Sequence, residues 1–313
     1  MQILQHAFSG QSNFRAMENL AHQTRISNLH VTDLPYRFSS ASLDDFGNIR
    51  LWRGENDRLL AWAMLEIPHD SLDWVSLPEL ESDLLPQILA WADQRSRAHP
   101  EIIPLGTPDD GPCWFTNVFP DQIARIRMLE AARFACQGRV GEYSLSSVLM
   151  QRPANLPVKD YRLPDGFSIR PLAGESEVEA CVQLHRATFR SDVMNTAWRS
   201  RMLQHPTYIP DLDLVITAPD GRLGAFCICW LDSHGTEKIG QIEPLGCHPD
   251  FRRYALGRLA LAEGLRRLQA HGANLIVVET DSWRNAAFQL SEALGFRVCK
   301  EVLAILRLET THL

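Results

Sequence analysis

The chain has 313 residues, enough for two domains of ordinary size, and its 45% apolar and 22% charged content is that of a soluble globular protein with real cores. A net charge of -7 argues against a nucleic-acid partner, which asks for a basic excess, and leaves room for a basic or amine-bearing ligand. No apolar run approaches the roughly 20 residues that span a bilayer, and the N-terminal MQILQHAFSGQSNFRAMENL lacks a basic segment followed by an apolar one, so a cytoplasmic protein without membrane partner is expected.

In chain order, NIRLWRGENDRLLAWAMLEI (48–67) reads as strand, turn, strand. LDWVSLPELESDLLPQILAWADQRS (72–96) reads as a strand running into a helix. QRPANLPVKDYRLPDGF is rich in proline and lacks apolar periodicity, so residues 151–163 are taken as a linker between a first domain (1–150) and a second (164–313). The second domain alternates more cleanly. FSIRPL (167–172) is a predicted strand and EVEACVQLHRATFR (177–190) a predicted helix. DLVITA (213–218), a Pro-Asp-Gly turn and LGAFCICWL (223–231) make a hairpin, and IGQIEPLGC (239–247) adds a strand. LGRLALAEGLRRLQAHG (256–272) is an amphipathic helix closed by glycine. NLIVVET (274–280) is a continuous apolar strand of the kind buried on both faces, NAAFQLSEALG (285–295) a short helix, and FRVCKEVLAILRL (296–308) closes with strands.

The seven cysteines, at 113, 136, 181, 227, 229, 247 and 299, are odd in number and scattered, which argues against a disulfide framework. Cys227 and Cys229 fall on one face of their strand and read as buried thiols. No His, Cys or Asp cluster has metal-ligand spacing, so no metal is expected.

The two halves share an order of elements. IRMLEAARF (126–134) lies on FQLSEALGF (288–296), with Glu130, Ala131 and Phe134 on Glu292, Ala293 and Phe296. An internal duplication is therefore expected.

The stretch CHPDFRRYALGRLAL (247–261) carries the functional reading. A strand stops at a Pro-Asp turn, and a helix begins near Gly257 with Arg252, Arg253 and Arg258 around it. A helix's first turn has unpartnered N–H groups and about half a positive charge, and small residues let an anion approach. The turn therefore suits a phosphate, or it is an ordinary strand-to-helix turn with solvated arginines. It lacks the Gly-Lys-Ser/Thr of a P-loop and the three glycines of a Rossmann turn. The matching turn of the first half, LPELESDLLPQ, carries Glu79, Glu81 and Asp83, which would repel a pyrophosphate, so one nucleotide-type site is expected, in the second half.

HPDFRRYALGRLAL resembles the acyl-CoA-binding signature of the GNAT superfamily of N-acetyltransferases, Arg/Gln-x-x-Gly-x-Gly/Ala after the fourth strand. NAAFQLSEALGF (285–296) is similar to that family's next motif, and one helix and one strand separate the two, as in the family. The resemblance implies an α/β fold, a mixed sheet flanked by helices, built as two tandem GNAT-like domains, each with a mostly antiparallel central sheet, the first degenerate and without a cofactor site. It also implies acetyl-CoA (CoA) as cofactor. The amides of residues 253–258, including Tyr254 and Leu256, would hold the pyrophosphate, with Arg252 first in the motif and Gly257 last. Ala255 replaces the motif's middle glycine, which at positive φ would cost about 1 kcal/mol. The main chain of Leu245, Gly246 and Cys247 would pair with the pantetheine arm like an added strand, beside a sheet that splays at Pro244. Asn285 and Phe288 would contact the cofactor arm, or serve as helix cap and core residue.

Acetyl transfer to an amine needs a base, stabilisation of the thioester oxygen and a proton for the leaving thiolate. Glu243, on the fourth strand, takes the family's base position, or is an edge salt bridge or a solvated strand charge. The family's tyrosine acid falls on Ser291 here, a much weaker acid; Tyr254 and Tyr208 are substitutes no motif supports. Phe189, Trp198 and Tyr208 line an acceptor pocket or pack the helices on the sheet, and His248 reads as a turn cap. The expected function is acetyl-CoA-dependent N-acetyltransfer to a small amine in a ternary complex, in a monomer or homodimer. The alternative is a non-catalytic acyl-CoA sensor or carrier.

Overall fold

A computed structural model describes residues 2–24, 34–66, 71–98, 114–136, 146–234, 236–281 and 285–307. The first half runs β1 (Leu4–Ala7), α1 (Gln11–Gln23), α2 (Leu34–Arg37), β2 (Ile49–Arg53), β3 (Leu59–Glu66), β4 (Ser71–Ser76), α3 (Glu81–Arg97), β5 (Phe115–Val118), α4 (Ile123–Ala131), β6 (Phe134–Cys136) and β7 (Ser147–Pro153). The second half runs β8 (Ser168–Pro171), α5 (Val178–Phe189), α6 (Thr196–Gln204), β9 (Asp213–Thr217), β10 (Leu223–Asp232), β11 (Ile239–Cys247), α7 (Leu256–Ala270), β12 (Leu275–Thr280), α8 (Asn285–Ala293) and β13 (Arg297–Arg307).

The apolar run LGAFCICW forms β10, and helices cover both of its faces. Ala225, Cys227 and Cys229 pack under α7 in one core cluster, while Phe226, Ile228 and Trp230 pack against α5 and α6 in another. Alternation of side chains across the strand thus sorts one stretch into two cores. Helix α7 comes close: a Cβ on Gly264 would lie 2.9 Å from Cys229 Sγ.

All strands join one mixed sheet, in the order β1-β2-β3-β4-β5-β13-β7-β12-β11-β10-β9-β8, with β6 paired to β13 off this path. The halves exchange their last strands. β7, which ends the first half, pairs with β12 of the second, Leu275 opposite Pro153. The end of β13 pairs back with β5 and β6 of the first half, Leu303 opposite Val118 and Ile305 opposite Cys136. The expected linker therefore begins as strand: Gln151, Arg152 and Pro153 lie in the ladder. Buried Arg152 also ties the following loop down, donating to Leu294 O and Leu156 O at 2.8 Å each.

The duplication has a backbone counterpart. Arg133 (φ 65°) and Gly295 (φ 92°) occupy matching positions after α4 and α8, both left-handed, and Phe134 and Phe296 follow each into the core. In both halves the fourth and fifth strands are parallel and soon part. β11 and β12 pair only over 239–241 and 275–277, and β4 meets β5 only at Ser71 opposite Phe115. NLIVVET is consequently not buried on both faces along its length. Ile276 and Val277 are buried, but Val278, Glu279 and Thr280 run beyond the pairing with β11 and are half-buried.

Candidate active site

Where β11 leaves β12, a cavity of about 410 Å³ opens, lined by Gln241 to Leu245 on one side and Val278 to Asp281 on the other. A bulge shapes its rim. Cys227 of β10 pairs with Leu245 and Cys229 with Ile242, so Ile228 alone faces Glu243 and Pro244. Trp230 Nε1 donates to Glu243 O at 2.9 Å and holds the bulge against the core. The half-buried Glu243 side chain stands at the cavity. Along residues 242–247 the edge of β11 away from β10 has no strand partner among the described residues.

At the end of β11 the chain turns. His248 Nδ1 accepts from Asp250 N–H at 3.2 Å, capping a short 3-10 turn, Pro249–Tyr254, that holds Arg252 and Arg253. Ala255 then takes a left-handed conformation (φ 55°, ψ 25°), and α7 begins with no side chain capping it. Arg252, Arg253 and Arg258 are exposed around this entrance, and Tyr254 lies outside it, its ring 5.1 Å from that of Phe167. A Cβ on Gly257 would meet nothing nearer than Leu290 Cδ2 at 3.8 Å. Packing inside the protein therefore does not require glycine there; the bare backbone leaves room for a ligand. Gly246 is the opposite case, since a Cβ would fall 2.6 Å from Phe226 and Thr188. Burial pushes the Cys247 thiol up, against the pull of Arg252 and of Gly257 N–H. Uncapped donors, positive charge and a missing side chain together fit a pyrophosphate.

The first half offers no such entrance. Helix α3 starts with Glu81 and Asp83 in its first turn, and Glu81 accepts from Arg125 Nε at 2.6 Å.

The other expected residues divide. Phe189, Trp198 and Ser291 line the cavity with Glu243. Ser291 is buried, and its hydroxyl donates to Ala287 O at 3.0 Å, one turn back in α8. Its proton is committed to the helix, and only its lone pairs are available. Tyr208 lines a different cavity, of about 450 Å³, and its hydroxyl donates to Asp213 at 2.7 Å. Burial and that carboxylate raise its pKa. Phe288 packs against the core of the second half. Asn285 opens α8, but its side chain lies outside the described residues.

Sequence reasoning missed what the first half contributes. Tyr36, Arg37, Glu66 and Phe115 line the same cavity. Glu66 is the one carboxylate ending the apolar run LLAWAMLE, which is the only signal it gave. It is 1% exposed, and burial pushes its pKa up to about 8, helped by Asp73 and opposed by Arg37. Arg37 is held on Asp73 at 2.7 Å. Among the described residues no group of His, Cys, Asp or Glu is placed to hold a metal, and no helix is long and apolar enough to cross a membrane.

Residues 178–296 match the Acetyltransferase (GNAT) family. A mycothiol acetyltransferase of Streptomyces coelicolor is 28% identical over 165 residues, 51% of this chain and 52% of that protein. One from Acidothermus cellulolyticus is 26% identical over 275 residues, 80% of this chain and 76% of its own length. The chain spans about half the length of the first of the curated relatives it matches. Among solved structures, a tandem GNAT protein from the clavulanic acid biosynthesis pathway superimposes with a TM-score of 0.65 at 11% identity, covering 97% of this chain and 98% of that one. A GCN5-related N-acetyltransferase from Sphaerobacter thermophilus does so with a TM-score of 0.60 at 14% identity, covering 98% and 95%. These likenesses establish the fold, a tandem GNAT arrangement.

Proposed function

Residues 178–296 belong to the Acetyltransferase (GNAT) family, and from that premise we propose that the protein transfers an acetyl group from acetyl-CoA to the amine of a small acceptor, directly, in a ternary complex. The observation that supports it most is a coincidence in space. The unpaired edge of β11 runs from the cavity that holds Glu243 to the turn before the uncapped entrance of α7. The name of the relatives, mycothiol acetyltransferase, favours acetyl over another acyl group.

Bound acetyl-CoA would supply the acetyl group as an activated thioester. The main-chain amides of residues 253–258, with Arg252, Arg253 and Arg258 around them, would hold its pyrophosphate. The main chain of Leu245 to Cys247 would pair with the pantetheine arm along the edge that β12 has left. Glu243 accepts a proton from the acceptor's ammonium, directly or through a water, leaving a nucleophilic amine. Phe189 and Trp198 wall the cavity and keep bulk water away. Ser291 is a poor source for the proton the leaving thiolate needs, since its hydroxyl is engaged with Ala287 O. Tyr36 is the phenol in the cavity lining, its ring tilted 46° to that of Trp198 with centroids 5.2 Å apart, and a phenol is the stronger acid of the two.

The engaged Ser291 also favours the second reading, an acyl-CoA sensor or carrier without turnover. Release of CoA thiol, followed with a disulfide reagent over a panel of amines, separates the two. The enzyme reading expects amine-dependent release that falls about 100-fold or more in Glu243→Gln, with acetyl-CoA affinity retained. Tight binding with no release from any amine supports the carrier, and no binding at all sinks both.

A further inference from the structure

The cavity lining is acidic. Among the described residues it carries Glu66, Glu243, Glu279 and Asp281 against one basic side chain, Arg37. Arg37 is spoken for by Asp73, and Glu279 Oε1 accepts from Ser147 Oγ at 2.5 Å. Glu66 differs from both. Its Oε2 accepts from Ser42 Oγ at 3.1 Å, while its buried Oε1 has no hydrogen-bond partner among the described residues. A buried polar atom left unmade costs about 1–3 kcal/mol, so such an atom at a cavity wall calls for an occupant. β3 places it at the strand's last position, opposite Ser71, where the main chain alone makes the ladder, so the carboxylate is not there for the pairing.

We propose that Glu66 anchors a second ammonium group of the acceptor, so that the substrate class is a diamine whose one amine meets Glu243 while the other is held by the first half of the chain. The inference rests on the transfer reading above and adds to it the division of labour: the second half does the chemistry and the first half selects. The surroundings fit. Asp73 on β4 and Arg37 on α2 are the charged groups acting on Glu66, with Ser40 and Ser42 beside it. Arg37 is paired with Asp73, so Glu66 is left as the group that can answer a cation entering the cavity. Burial keeps Glu66 protonated while the cavity lacks a cation. An ammonium arriving at Oε1 takes the place of that proton, which leaves to solvent.

The test is calorimetry on the full chain saturated with CoA, titrated with putrescine or cadaverine, with the isosteric butylamine and pentylamine, and with the matching amino alcohols. Diamines are expected to bind at least about tenfold more tightly than either set of isosteres. In buffers of different ionisation enthalpy, diamine binding should release about one proton that Glu66→Gln does not release. Glu66→Gln keeps the shape of the site, and circular dichroism checks that it folds; in it the tenfold preference should vanish. Equal affinity for diamine and amino alcohol overturns the proposal, as does the same proton release in wild type and Glu66→Gln. Because binding is read without turnover, a protein that binds diamines in this way but never releases CoA would refute the transfer reading and leave the anchor standing. A protein that acetylates simple monoamines as well as diamines would do the reverse.

Discussion

At the scale of single residues, Ala255 is the sharpest local conflict in the chain. It stands where the resembled motif has glycine, and the backbone takes φ 55° there with an alanine, which an L-residue tolerates only at a cost. Ala255→Gly is therefore expected to stabilise the fold by about 1 kcal/mol, read as a higher urea midpoint at unchanged slope. An unchanged midpoint would mean the turn relaxes to suit the alanine. The motif residues were legible because their chemistry is local: an arginine, a small residue and a helix entrance come within one turn of chain. Glu66 was not, since its role depends on β3 reaching the cavity of the other half. Tyr208 misled for a similar reason. Its aromatic neighbourhood resembled that of Trp198, yet Tyr208 turns to Asp213 and to another cavity.

Asp213 opens the scale of elements. Helix α6 is joined to β9 by Arg199 and Asp213, which pair with exposures of 0% and 1%, and Tyr208 donates to the same carboxylate oxygen from the loop between them. Burial disfavours the Arg199 charge, and Asp213 overcomes this and holds its pKa above the usual range. Asp213→Asn leaves a buried guanidinium without its counter-charge. It is expected to destabilise the protein by about 3–5 kcal/mol in urea unfolding, whereas Tyr208→Phe costs about 1. No spacing in the sequence announces this pair; it lies fourteen positions apart in chain and is made by the packing of a helix on a sheet. The strands themselves were easier. LGAFCICWL, DLVITA and IGQIEPLGC have composition and turn signals that need no tertiary context. NLIVVET shows the limit of that reading, because an apolar run does not reveal where its neighbour will leave it.

For the whole molecule, the exchange of last strands sets what counts as a unit. A fragment beginning at residue 164 lacks β7, so β12 keeps a bare edge and β13 loses its partner over 297–302. Such a fragment is expected to aggregate, since long unpaired edges recruit other chains. Expression of residues 164–313 and of 146–313 side by side checks this: the longer piece, which keeps β7, should be markedly more soluble. Equal solubility would mean that the two halves are independent after all. The duplication was legible in sequence, but the boundary was not, because proline content marks a loop without revealing whose sheet the preceding strand joins.

That crossing of strands has a temporal side. β5, completed near residue 118, receives the partner on its other edge only from residues 303–306. During synthesis the amino-terminal half emerges from the ribosome with its sheet open on that edge, and it stays open until residues 303–306 have followed it. Domains ordinarily settle one after another as they are made. Here a part made early waits for a strand made about 185 residues later, and its open edge must be sheltered in the meantime.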